Sequence, residues 1–170
     1  DNPNIFSKEL FNLGLQNGTT YFANVRARDV AGNISDIVSG DGVLIDLTPP
    51  LKGEVIDGQV EDQVFTSSSD TLISSWSGFS DDISGIEYFE YSIGTTDLGG
   101  AEILDWISAG PETEFFQEDG LQLENAQTYY AAVRATDFAG NVSNLSVDVT
   151  GWTVTVSNSY TLINTANPIV

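Results

Sequence analysis

The chain contains no cysteine, no histidine and no methionine among its 170 residues, and only five lysines and arginines together. Without cysteine no disulfide framework exists, and without cysteine or histidine there is no zinc site of the usual kind. Catalysis loses cysteine as a nucleophile and histidine as the commonest general base, leaving carboxylates, lysine and serine. With no methionine the segment carries no start residue, so any export signal is expected upstream of Asp1. No apolar run approaches the length needed to cross a bilayer, and membrane insertion is not expected. The scarcity of basic residues leaves 25 acidic ones almost unopposed, for a formal net charge of −20. Such a field repels phosphate backbones and anionic lipid, which argues against nucleic acid as a partner. It suits calcium-bearing or high-salt surroundings, where cations relieve the self-repulsion, or it serves solubility alone.

What is present is one phrase written twice. GLQNGTTYFANVRARDVAGNIS, from Gly14, returns as GLQLENAQTYYAAVRATDFAGNVS, from Gly120. Tyr21 matches Tyr129, an offset of 129 − 21 = 108 residues, and Val25, Arg26, Asp29, Gly32 and Asn33 match Val133, Arg134, Asp137, Gly140 and Asn141. A repeat of that length is one small domain in a tandem array, not a solenoid turn. Residues 1–47 are expected to be the last three strands of one copy and 52–157 a complete second copy, with a linker at 48–51 and a tail or linker at 158–170.

The apolar pattern has the two-residue period of strands. Tyr129, Ala131, Val133 and Ala135 share one face, as do Tyr21, Ala23, Val25 and Ala27 in the first copy. Phe89, Tyr91 and Ile93 alternate likewise, and Trp152, Val154 and Val156 form the last set, matching Val43, Ile45 and Leu47 after a one-residue gap. Turn signals, among them Asp57-Gly58, Gly78, Gly99-Gly100 and Asp119-Gly120, punctuate seven predicted strands at 53–60, 71–77, 86–94, 101–108, 113–121, 128–136 and 149–156, with no convincing helix. Seven short strands punctuated by turns predict an all-β, two-sheet sandwich. Trp76 is the expected core anchor, and Tyr129 and Tyr21 are expected to pin a corner through a hydroxyl bond to the preceding turn. Asp46-Leu47-Thr48-Pro49-Pro50 reads as a stiff spacer, because proline gives no ladder donor and favours extended backbone.

The set SWSGFSDDISGIEYFEYSIGTT, the isolated Trp106, then GLQL, TYYAAVRATDFAGNVS and a closing alternating strand resembles a fibronectin type III-like domain. It is similar to the variety strung along large bacterial secreted and cell-surface proteins, and the Asp-Leu-Thr-Pro-Pro segment is similar to their junctions. The resemblance implies an immunoglobulin-like, seven-stranded sandwich and an extracellular location, secreted or on the cell surface. It also implies a non-catalytic role as spacer or adhesive module, its partners being neighbouring repeats of the same chain and cell-surface glycans or proteins. Two alternatives stay open: an accessory spacer or carbohydrate-binding module of a polysaccharide-degrading enzyme, and a filament subunit completed by strand exchange, with residues 160–163 of a neighbour filling the first copy.

The candidate chemistry is thin. In Asp29–Asn33 and Asp137–Asn141 the Asp-x-Ala-Gly-Asn motif reads best as a capped turn, since one carboxylate and one amide fall far short of a calcium shell. Asp81-Asp82, close to Ser84 and Gly85, is the better cation candidate, with Asp46 of the linker able to approach. A solvated acidic turn is the plainer reading of the same residues. Trp106 and the Tyr88–Tyr91 cluster offer flat faces for sugar, although aromatics on alternating strand positions more often pair or fill a core. No catalytic, cofactor-binding or metal residue is therefore assigned, and a structural calcium ion is the one cofactor in view.

Overall fold

The computed structural model describes residues 9–156, so the residues 160–163 invoked for strand exchange lie outside the described part. In the first copy, β1 (Thr19–Tyr21) pairs antiparallel with β4 (Val43–Ile45), and β2 (Asn24–Val25) with β3 (Val38–Ser39). The rest of the described chain is a sandwich of nine strands: β5 (Glu54–Asp57), β6 (Phe65–Thr66), β7 (Leu72–Ser77), β8 (Ile86–Gly94), β9 (Leu104–Ala109), β10 (Phe115–Glu118), β11 (Thr128–Asp137), β12 (Ser146–Val147) and β13 (Trp152–Val154). No helix occurs among the described residues, so none is long and apolar enough to cross a membrane.

One sheet runs β10-β7-β5 and the other β6-β13-β11-β8-β9, with β12 also pairing with β11. All pairs are antiparallel except β6 with β13. Two of the nine strands were not foreseen. Both β6 and β12 are two residues long, and pairing with distant β13 and β11 defines them where local alternation does not. The strand expected at 149–156 shortens to β13, because Asp148 to Gly151 forms a break in which Asp148 accepts bonds from Thr150.

The core follows from the two-residue period. Inward positions Tyr129, Ala131, Val133 and Ala135 of β11 are almost fully buried, as are Phe89 and Ile93 of β8 and Leu72 of β7. Trp76 sits between the sheets at the centre of an aromatic group, edge-on to Phe89 at 5.6 Å and tilted against Tyr91 at 6.1 Å and Phe116 at 6.4 Å. Tyr91 stacks on Phe116 at 4.5 Å, which joins β8 of one sheet to β10 of the other. Rings in edge or offset contact add to what area burial alone supplies.

The outward face of β11 is not uniformly wet. Leu145 and the Gly99 turn cover Ala132, where a Cβ on Gly99 would clash with Leu145. In the first copy the equivalents of the core positions lie open: Val25 is 67% and Val43 65% exposed, against 0% for Val133 and 1% for Trp152.

The tyrosine corner forms in both copies. The Tyr129 hydroxyl accepts the Glu124 N–H at 2.8 Å, and the Tyr21 hydroxyl accepts the Gln16 N–H at 3.0 Å. Tyr129 is buried, and removing its hydroxyl takes the acceptor from the Glu124 amide at a part-buried corner. Tyr129→Phe should therefore cost about 1–2 kcal/mol in urea unfolding with an unchanged denaturant slope. A variant that melts with the wild type would remove the corner from the list of stabilising contacts.

Candidate functional site

The acidic turns have a common construction. Asp137 Oδ1 accepts the N–H groups of Ala139 at 2.9 Å and Asn141 at 2.8 Å, and its Oδ2 accepts the Asn141 side-chain amide at 2.9 Å. Asp29 does the same with Asn33, at 2.8 Å to the N–H and 2.7 Å to the amide. Glycine at the fourth position supplies the positive φ the turn requires, +96° at Gly32 and +87° at Gly140. The turn-capping reading of this motif thus holds in both copies. Donation from the Asn33 side chain, followed by the Asn33 backbone, draws the Asp29 carboxyl below the usual range.

The linker carboxylate Asp46 is where the two copies meet. It is 7% exposed. One oxygen accepts the Ser84 hydroxyl at 2.6 Å and the Ser84 N–H at 3.2 Å, and the other accepts the Thr48 N–H and hydroxyl at 3.0 and 2.8 Å. The Asn141 side chain donates to the Asp46 carbonyl at 3.3 Å, and Leu51 bridges Ser80 through paired backbone bonds. Asp81 caps its own turn, accepting the N–H groups of Ile83, Ser84 and Gly85 at 3.1, 2.9 and 2.8 Å. Carboxylate oxygens of Asp46, Asp81 and Asp137 lie within 4.8 Å of one another. The expected approach of Asp46 to the Asp81 turn is therefore observed, while Asp82 stays exposed and outside the group. Every carboxylate in this group accepts hydrogen bonds, so the group forms a hydrogen-bonded lock between linker and sandwich.

A second group escaped the sequence reading, which took Asp57-Gly58 simply as a turn. Asp57, Asp62 and Asp148 also bring carboxylate oxygens within 4.8 Å. Asp57 is fully buried at the end of β5, and neither of its carboxylate oxygens has a partner. Burial, reinforced by the like charges of Asp148 and Asp62, pushes its carboxyl up to about 9. At Asp148 burial pushes upward too, but bonds from the Thr150 hydroxyl and N–H, from Asp62 and from the Gly151 N–H together hold the carboxyl below the ordinary range. No local signal links residues 57, 62 and 148, which only the fold assembles.

The aromatic candidates divide. Tyr91 is a core ring whose hydroxyl donates to Glu118 at 2.6 Å. Trp106 is half-buried on the outer side of β9, with the Arg134 guanidinium 4.2 Å over its ring and Arg134 paired to Glu90 at 2.7 Å. One ring face is thus engaged by a cation rather than presented flat. A shallow groove of about 510 Å³ runs over the β10-β7-β5 sheet beside Glu54, Glu114 and Phe115, well apart from Trp106.

No family model matches the chain. Over 136 residues it is 32% identical to Exoglucanase B of Cellulomonas fimi, a match that takes in 78% of this chain and 11% of that protein. Among solved structures, the chicken CNTN1 FN1–FN3 domains align with 81% of the chain and 44% of their own at 15% identity and a TM-score of 0.45. A structure titled as a myokine aligns with 65% of this chain and 98% of its own at 17% identity and a TM-score of 0.37. The strand order decides the fold: a three-stranded sheet, β10-β7-β5, faces a mostly antiparallel sheet centred on β11 and β8, with a tyrosine corner at the start of β11. The fold is a fibronectin type III-like β-sandwich.

Bonds from Ser84, then from the Thr48 backbone, hold the Asp46 carboxyl below its ordinary range. A carboxyl lowered on folding stabilises the junction above its unfolded pKa, near 4, and that contribution is lost as pH falls through the lower folded value. Acidification below about pH 4 should therefore free the linker before the sandwich melts. The amides of Leu47, Thr48 and Ser84 should report this by 15N relaxation, and Ser84→Ala should shift the same amides at neutral pH. Amides unmoved in both experiments would show that Asp46 does not hold the junction.

Proposed function

We propose that this fibronectin type III-like module is a non-catalytic spacer in a secreted or surface-displayed bacterial multidomain protein, setting the distance and orientation of its neighbours. The observation that carries this reading is the Asp46 junction. A linker residue bonded to Ser84 and Asn141 of the following sandwich ties one copy to the next, as a spacer needs and a flexible tether does not. The Pro49-Pro50 pair after it adds stiffness, and Pro50 is buried.

The identity with Exoglucanase B favours a particular host. Because the matched region is 11% of that protein, it supports a reading in which this module accompanies a polysaccharide-degrading enzyme outside the cell without performing its chemistry. In that host its partners are the adjoining domains. Contact with surface glycans or proteins is the adhesive form of the same role.

Affinity electrophoresis of the 170-residue chain in gels containing soluble cellulose derivatives and other glycans separates spacer from sugar binder. The spacer reading predicts unchanged mobility in every gel. Retardation that disappears in Trp106→Ala would overturn it and make the face around Trp106 a carbohydrate site. Retardation that survives in that variant would overturn it too, and move the site elsewhere.

A further inference from the structure

We propose that Asp57, Asp62 and Asp148 form a binding site for a hard divalent cation of the calcium class, separate from the linker junction. The site lies on the seam between the two sheets. Asp57 ends β5 of the smaller sheet, Asp62 stands in the loop that follows, and Asp148 lies between β12 and β13 of the larger one. The Ser146 hydroxyl donates to the Gly53 carbonyl along the same seam.

Two independent observations point to an ion. The first is the convergence of three carboxylates within 4.8 Å. The one ion pair among the described residues is Arg134–Glu90, so no described basic side chain neutralises this group. The second is the state of Asp57 itself. Both of its oxygens lie fully buried without a donor, whereas Asp137 and Asp81 collect two or three N–H bonds each in turns of the same chain. A buried carboxylate left without a donor is costly, and a coordinated cation satisfies it directly.

The surroundings are built around the cluster. The Asp57 N–H points at Asp148 Oδ2, 3.2 Å away, and at Asp62 Oδ1, 3.3 Å away, which fixes both carboxylates beside it. Thr150 donates its hydroxyl to Asp148 Oδ1 at 2.6 Å and contacts Asp62 Oδ2 at 3.3 Å. Asp62 is exposed and opens the cluster to solvent, giving an ion a way in. The donor set is all oxygen, which selects calcium or magnesium over softer metals, and carboxylates from separate loops suit the looser calcium shell. The first copy carries Gly40 where the second has Asp148, so the site belongs to the complete sandwich.

The test uses the chelator-treated 170-residue chain, titrated with CaCl2 and, separately, MgCl2. Affinity in the range of extracellular calcium modules predicts a rise in thermal midpoint on the order of 5–15 °C at about 10 mM CaCl2, reversed by EDTA. Asp57→Asn and Asp148→Asn should each abolish the rise, while Asp81→Asn, which alters only the linker group, should keep it. Amide cross-peaks of Gly58, Asp62, Thr150 and Gly151 should move with calcium while those of Ile83 to Gly85 stay. That readout on the wild type holds even if a variant fails to fold. No midpoint change and no cross-peak movement in the wild type would overturn the proposal, leaving Asp57 as a buried protonated acid. A calcium effect retained in Asp57→Asn, or lost in Asp81→Asn alone, would overturn it equally by placing the ion at the junction.

Discussion

A chain with 25 acidic residues and five basic ones has almost no cationic side chains with which to bury a carboxylate. Every acidic group that folding draws inward must then find N–H or hydroxyl donors, or stay protonated, or hold an ion. The architecture of the turns follows from that constraint. Asp29, Asp81 and Asp137 are placed where a tight turn aims successive backbone amides at one carboxylate, and Asp46 where Thr48 and Ser84 supply donors from both sides of the domain junction. Such charge-assisted bonds are about twice as strong as neutral ones, which makes a turn cap an economical way to fix loop geometry.

The same constraint separates the two carboxylate groups. At the junction a serine, a threonine, an asparagine and several amides donate to Asp46, Asp81 and Asp137, so like charges approach with donors on each carboxylate. On the seam between the sheets, Asp62 and Asp148 take the available donors from Thr150 and the Asp57 amide, and the side chain of Asp57 is left with none. One group ties a linker to a sandwich by hydrogen bonds. The other lacks a positive partner at its most buried member.

Between these polar fixtures the core is conventional in its physics. Inward residues of β8 and β11 meet those of β7 and β10 around Trp76, and the Tyr91–Phe116 stack closes the space between the sheets. The outer side of the larger sheet spends its one ion pair on Arg134 and Glu90, with Trp106 lying over the guanidinium. That arrangement accounts for the tryptophan that no alternating strand pattern explains.

Much of this was legible from residue order, because strand period, turn glycines and a repeated phrase are local signals. The interval 86–94 foreseen for β8 is the one observed, β11 extends its expected 128–136 by a single residue, and the capping roles of Asp29 and Asp137 follow from residues four apart. The corner tyrosines are local in the same sense, each bonding an amide five residues back. What the sequence alone could not supply is anything defined by contact across the sandwich. The two-residue strands β6 and β12 exist only through their partners, and the face of Trp106 is set by an arginine on a different strand. Asp57 reads as a turn residue until β5 is laid beside the β12–β13 break. Only then do residues 57, 62 and 148 share one buried space, because through-space proximity, not sequence spacing, determines which charges must be reconciled.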